Sequence, residues 1–121
     1  MEQSASRPTE LRVSKDRRML TVTFDDGARY EIPAEMLRVH SPSAEVQGHS
    51  PDQRQLVHGK RDVEIMQIIP TGNYAIRIGF DDMHDTGIYT WTYLRGLGSH
   101  LDTWLTAYEA ELASKGLSRQ R

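Results

Sequence analysis

The stretch FDDMHDTGIYTW, residues 80–91, places Asp81, Asp82, His84 and Asp85 between a phenylalanine and an aromatic run. Carboxylates and an imidazole this close together suit cation ligation, proton transfer, or simply a solvated turn. The aspartates lack the regular ligand spacing and closing bidentate glutamate of a calcium loop, so the turn reading is preferred for them. His40, His49 and His58 recur at nine-residue spacing, where a loop can gather imidazoles around a metal together with His84. That spacing matches no established ligand pattern, and loop histidines are more often solvated.

Other patterns are weaker. His100-Leu101-Asp102 matches the His-x-Asp half of a facial iron triad, but no histidine follows His100 to complete it. The preferred reading of this segment is the capped start of a helix, with Ser99 as N-cap and Asp102 in the first turn. Gly96-Leu97-Gly98-Ser99 has the look of a phosphate-holding turn, yet Leu101 stands where the dinucleotide fingerprint needs a third glycine. It reads instead as a turn between helices. Serine, histidine and aspartate all occur, but no Gly-x-Ser-x-Gly elbow supports a hydrolytic triad.

The elements that must position these residues follow from periodicity. Leu20, Val22 and Phe24 alternate with threonines, and Tyr30 and Ile32 resume after Asp25-Asp26-Gly27. This predicts a hairpin with Gly27 in the turn, preceded by a strand through Leu11 and Val13. Pro33 and the good helix formers 34–38 predict a short helix ending near His40. Residues 41–60 form the longest irregular segment. Val63 to Ile69 and Tyr74 to Phe80 predict a second hairpin about the Pro70-Thr71-Gly72-Asn73 turn. Leu101, Trp104, Leu105, Tyr108 and Leu112 form the apolar stripe of a last helix, stopped near Gly116. FDDGARYEIPAEMLR (24–38) also resembles FDDMHDTGIYTWTYLR (80–95), an internal repeat of strand, turn, strand and helix. The predicted fold class is α+β: a mostly antiparallel sheet from two such units with a C-terminal amphipathic helix.

Composition bounds the rest. The 121 residues suffice for one domain with a core that needs no staple, expected over 9–116 with disordered tails at 1–8 and 117–121. A net charge of −2 with scattered basic groups argues against nucleic-acid binding. The absence of cysteine excludes disulfides and thiolate metal sites within the chain and fits a cytoplasmic setting. No apolar run approaches a membrane span and no leader pattern opens the sequence.

The run GNYAIRIGFDDMHDTGIYTWTYLRGLG (72–98), with LRVHSPSAEVQGH (37–49) before it, resembles the gamma-butyrobetaine-hydroxylase-like N-terminal domain family, a bacterial domain of uncharacterised function. The resemblance implies the N-terminal domain of iron and 2-oxoglutarate dioxygenases without their catalytic domain, hence a non-enzyme. Similar domains fused to P-loop iron–sulfur carrier proteins imply an accessory role in iron–sulfur or metal-cofactor maturation. The dioxygenase version resembles a zinc module with three cysteines and a histidine. By that match the histidine falls on His84 and the cysteines on Ser41, Ser43 and Val46, which are not zinc ligands.

The expectation is therefore a protein-binding module, with a partner surface of Ser41, Ser43, Glu45, His49, Asp82, His84, Tyr89 and Trp91, and no resident cofactor. In this reading His84 hydrogen-bonds or packs where a metal would otherwise clamp two segments. The alternative is a zinc- or iron-binding accessory protein in which His84 joins His40 or His49 and a carboxylate such as Glu45 or Asp82.

Overall fold

The computed structural model describes residues 7–48 and 53–120. The first unit comprises β1 (Pro8–Val13), β2 (Met19–Phe24), β3 (Arg29–Pro33) and α1 (Ala34–Val39), followed by the four-residue helix α2 (Ala44–Gln47). The second comprises β4 (Ile65–Thr71), β5 (Ala75–Phe80), β6 (Gly87–Thr90) and α3 (Trp91–Ser99); α4 (Leu101–Ser114) completes the fold. Each unit is a three-stranded antiparallel sheet, in the orders β1-β2-β3 and β4-β5-β6. The α+β class read from the sequence is what forms, as two small sheets.

The internal repeat is structural. In the first turn Gly27 N–H donates to Phe24 O at 3.0 Å and Ala28 N–H to Asp26 Oδ1 at 3.1 Å; in the second, Met83 N–H donates to Phe80 O and His84 N–H to Asp82 Oδ1, both at 3.1 Å. Gly27 has φ +88° and Met83 φ +73°, so both turns demand the left-handed conformation. Glycine meets that demand without cost, whereas methionine is strained there.

One core joins both units. Leu20, Val22 and Phe24 of β2, Ile76, Ile78 and Phe80 of β5, and Met36, Leu37, Leu94 and Leu97 of α1 and α3 are all buried together. Tyr108 and Leu112 of α4 close the same cluster, with Leu101, Trp104 and Leu105 partly buried beside them. The predicted stripe thus faces the core. Its start differs from expectation: residues 96–99 lie inside α3, and the break falls at His100, which has no side-chain cap bond. The cause is tertiary. A Cβ on Gly98 would stand 2.6 Å from Tyr30 Cβ, so the glycine lets α3 lie directly against β3.

The C-terminal segment read as a tail from 117 is tied down through 119. Gly59 N–H donates to Ser118 O and Arg61 N–H to Arg119 O, while the Arg119 guanidinium grips the buried Glu35 carboxylate at 2.6 and 2.8 Å.

Candidate functional site

α1 ends at His40, and the chain crosses the second Asp-rich turn before entering α2. This brings Ser41, Ser43 and Glu45 against His84 and Thr86. Ser41 Oγ lies 2.8 Å from His84 Nε2, and His84 Nδ1 lies 3.0 Å from Glu45 Oε1. A carboxylate only accepts, so Nδ1 carries the proton; burial, and then the Arg38 charge, lower the His84 pKa and favour the neutral ring. Nε2 therefore accepts from the Ser41 hydroxyl. Thr86 Oγ1 donates to Glu45 Oε1 at 3.0 Å and receives the Ser43 hydroxyl at 2.6 Å. Ser41 Oγ accepts from Ser43 N–H, and Ser43 Oγ from Glu45 N–H. The bonds form a continuous network in which each link polarises the next.

The order serine, histidine, carboxylate is that of a hydrolytic triad, and hydrolysis needs an accessible nucleophile. Ser41 is 0% exposed. Gly87 is packed so closely over it that a Cβ there would sit 2.4 Å from Ser41 Oγ. No substrate carbonyl reaches this hydroxyl. The arrangement clamps residues 41–45 to residues 84–86.

Zinc does not fit these residues. Ser41, Ser43 and Val46 offer no ligand suited to it, and both His84 nitrogens are engaged within the network. Among the described residues no cluster of three histidines, cysteines or acids is arranged to hold an ion. His40 does not join His84: its ring packs against Trp104, with centroids 5.0 Å apart. His58 is exposed, and His49 lies outside the described residues.

Asp82 belongs to the same turn. It accepts from Arg38 Nε at 2.8 Å and lies 2.7 Å from Lys60 Nζ. Burial raises its carboxyl, but Lys60 and Arg38 outweigh burial and hold it below the ordinary carboxylate value.

The remaining site residues of the sequence reading are placed differently. Tyr89 is fully buried and its hydroxyl donates to Leu37 O, so it ties β6 to α1 and is closed to partners. Alternation along β6 turns Ile88 outward in its place. Trp91 is partly buried and its indole N–H donates to Asn73 O at 3.0 Å. Ser43 is buried; Glu45 and Thr86 are the exposed members of the network.

Sequence reasoning missed the exposed apolar groups beside this turn. Met83 is 87% exposed and Met66 54%, and both line a shallow cleft with Asp81 and Asp85. Ile88, 42% exposed, lies opposite Arg77, whose guanidinium donates to Asp85 O at 2.8 Å. The alternation of β6 was the available signal for Ile88; nothing local marked Met66, which sits at a register shift in β4.

A two-unit α+β domain with a closed polar clamp and an exposed apolar rim is a scaffold with a surface, and its sequence places it among known domains. The family model described as gamma-butyrobetaine hydroxylase-like, N-terminal, matches residues 11–95, and the chain belongs to that family. A protein solved in solution by NMR is 43% identical, with a TM-score of 0.83 over 97% of this chain and 92% of its own. Another NMR structure is 41% identical with the same TM-score, over 98% and 89%. A crystal structure from Acidithiobacillus ferrooxidans, described as a protein of unknown function in the DUF971 family, is 37% identical with a TM-score of 0.64 over 76% and 92%. No curated protein matches the chain. No helix among the described residues is long and apolar enough to cross a membrane.

Proposed function

We propose that the domain is a non-catalytic protein-binding module whose contact face is the outer side of β4–β6 around the second turn. The observation that carries this reading is the exposure of Met83 and Met66 in one cleft with Asp81 and Asp85, with Ile88 exposed on β6 of the same sheet. Exposed large apolar groups rimmed by charge are typical of contact sites, and methionine adapts to a partner's shape. Glu45, exposed on the adjoining edge, adds to the acidic rim. The complementary partner presents an apolar side chain flanked by lysine or arginine.

The polar clamp supports the face by fixing the turn that carries Met83. Its closed serine argues for binding over hydrolysis. The process we propose is iron–sulfur or metal-cofactor maturation, with a P-loop iron–sulfur carrier as the first partner to test. The experiment is an NMR titration of isotope-labelled domain with that purified carrier. Saturable amide shifts at residues 66–67 and 79–88, lost in an Asp81→Lys, Asp85→Lys double variant, are expected. Shifts confined to α4 would overturn the assigned face, and silence would remove the carrier.

A further inference from the structure

We propose that the cleft between α4 and the C-terminal ends of α1 and α2 is a second binding site, for a small uncharged aromatic or heteroaromatic ring bearing one hydrogen-bonding group. It lies apart from the Met83 face and owes nothing to the partner reading. The cleft measures about 320 Å³, within the range of small-molecule sites.

Its walls select for planar rings. The imidazole of His40 and the indole of Trp104 stand 5.0 Å apart, tilted by 53°, and Tyr108 meets His40 edge-on at 6.5 Å. Aromatic pairs in such offset and edge geometries are favoured over aliphatic contact of equal area. Tyr108 keeps its place because its hydroxyl donates to Val57 O at 2.8 Å, and Gln47 because its amide donates to Ser41 O at 2.9 Å. The walls are thus fixed before any ligand arrives.

Its polarity selects for an uncharged ligand with a polar edge. Arg54 Nη2 grips both oxygens of Glu111 at 3.0 and 3.1 Å, so the two charges in the lining cancel. Among the described residues, His40 Nε2 is buried without a hydrogen-bond partner. An unpaired buried nitrogen is costly, and a ligand group that reaches it recovers the bond. His40 is neutral near pH 7, because burial and then the Arg54 charge push its pKa down to about 4.

The test is an NMR titration of the full chain with phenol, indole and benzimidazole at millimolar concentration, with cyclohexanol as the non-planar control. Saturable shifts at the His40 imidazole and the Trp104 indole N–H are expected from the planar probes alone. His40→Phe keeps the wall and removes the nitrogen, and should weaken binding about tenfold, the factor of one lost hydrogen bond. Ala107→Trp, at an exposed position of α4 lining the cleft, should abolish binding without touching the core. No saturation, equal response to cyclohexanol, or binding that survives Ala107→Trp would overturn the proposal.

Discussion

Arg38, the last residue of the Leu-Arg pair in the first unit, donates from Nε to Asp82 in the turn of the second at 2.8 Å. The relation is reciprocal: Arg95, which ends the Leu-Arg pair of the second unit, donates to Asp26 in the turn of the first at 2.7 Å. The two halves of the repeat therefore hold each other through matching residues. The bonds are not equal in surroundings. Arg38 and Asp82 are 13% and 16% exposed, whereas Arg95 and Asp26 are 33% and 44% exposed.

That difference predicts unequal costs. Removing Arg38 takes a charged hydrogen bond from the largely buried Asp82 and leaves Lys60 as its remaining ion partner, so Arg38→Ala should lower unfolding stability by about 2 kcal/mol. Arg95→Ala should cost clearly less, part of it from its guanidinium lying 5.1 Å from the Phe24 ring centroid. Urea denaturation of both variants decides the point; equal losses would mean that the Asp82 pair is no stronger than its surface counterpart.

How much of this was legible in the sequence depends on whether a local period carried it. Leu20, Val22 and Phe24 announced β2, and the stripe from Leu101 to Leu112 announced α4, because each element buries one face. Gly98 misled, since its helical place depends on Tyr30, a contact far along the chain. The family match placed Ser41, Ser43 and His84 together, but Thr86 and the role of Glu45 in the network needed the fold. Its polar neighbours suggest a surface place for Tyr89, but its strand position points inward and its hydroxyl donates to Leu37 O. The Arg119 bond to Glu35, across most of the chain, leaves no local pattern at all.

The clamp makes a prediction about Gly87. A methyl group there would press on Ser41 Oγ at 2.4 Å, and overpacking of this kind costs about 1–3 kcal/mol. Gly87→Ala should therefore destabilise the domain, and adding Ser41→Ala should cost less in that background than in the native chain. Thermal melts of the double-mutant cycle measure the coupling; strict additivity would show that the two groups do not press on each other.

Met83 predicts a conflict between stability and binding. Its backbone holds φ +73° while its side chain is 87% exposed, so the fold gains little from the methionine. Met83→Gly should stabilise the domain by about 0.5–1 kcal/mol, the left-handed strain offset by the greater entropy of unfolded glycine. Partner affinity should fall in the same variant. A domain that became less stable would show that the side chain packs usefully in the free protein.

The C-terminal staple predicts that the segment after Gly116 is part of the fold. Glu35 is buried, and Arg119 supplies its paired hydrogen bonds. Truncation after residue 116, or Arg119→Ala, should cost about 3 kcal/mol by stranding the carboxylate. Glu35→Gln should rescue part of the loss in the truncated chain, because an amide is cheaper to bury unpaired than a charge. Denaturation midpoints of the four chains test this.

The final prediction concerns acid. His40 has a folded pKa of about 4 against an ordinary value near 6.5, so the unfolded chain binds the proton more tightly. Its contribution to stability is complete above about pH 6.5 and is lost as the pH falls toward 4, amounting to about 3 kcal/mol. His84, lowered chiefly by burial, acts in the same direction over the same side of the scale. Asp82 adds a later loss: its carboxyl is held below the ordinary value near 3.9, so its contribution persists above that pH and disappears below it. Urea midpoints should therefore decline from pH 7 to pH 4 and fall further beneath. His40→Phe should flatten the first part of the decline, because no proton is taken up at that position on unfolding. A variant whose decline matched the native chain would show that His40 titrates alike in both states, and the cleft would then hold an imidazole open to water.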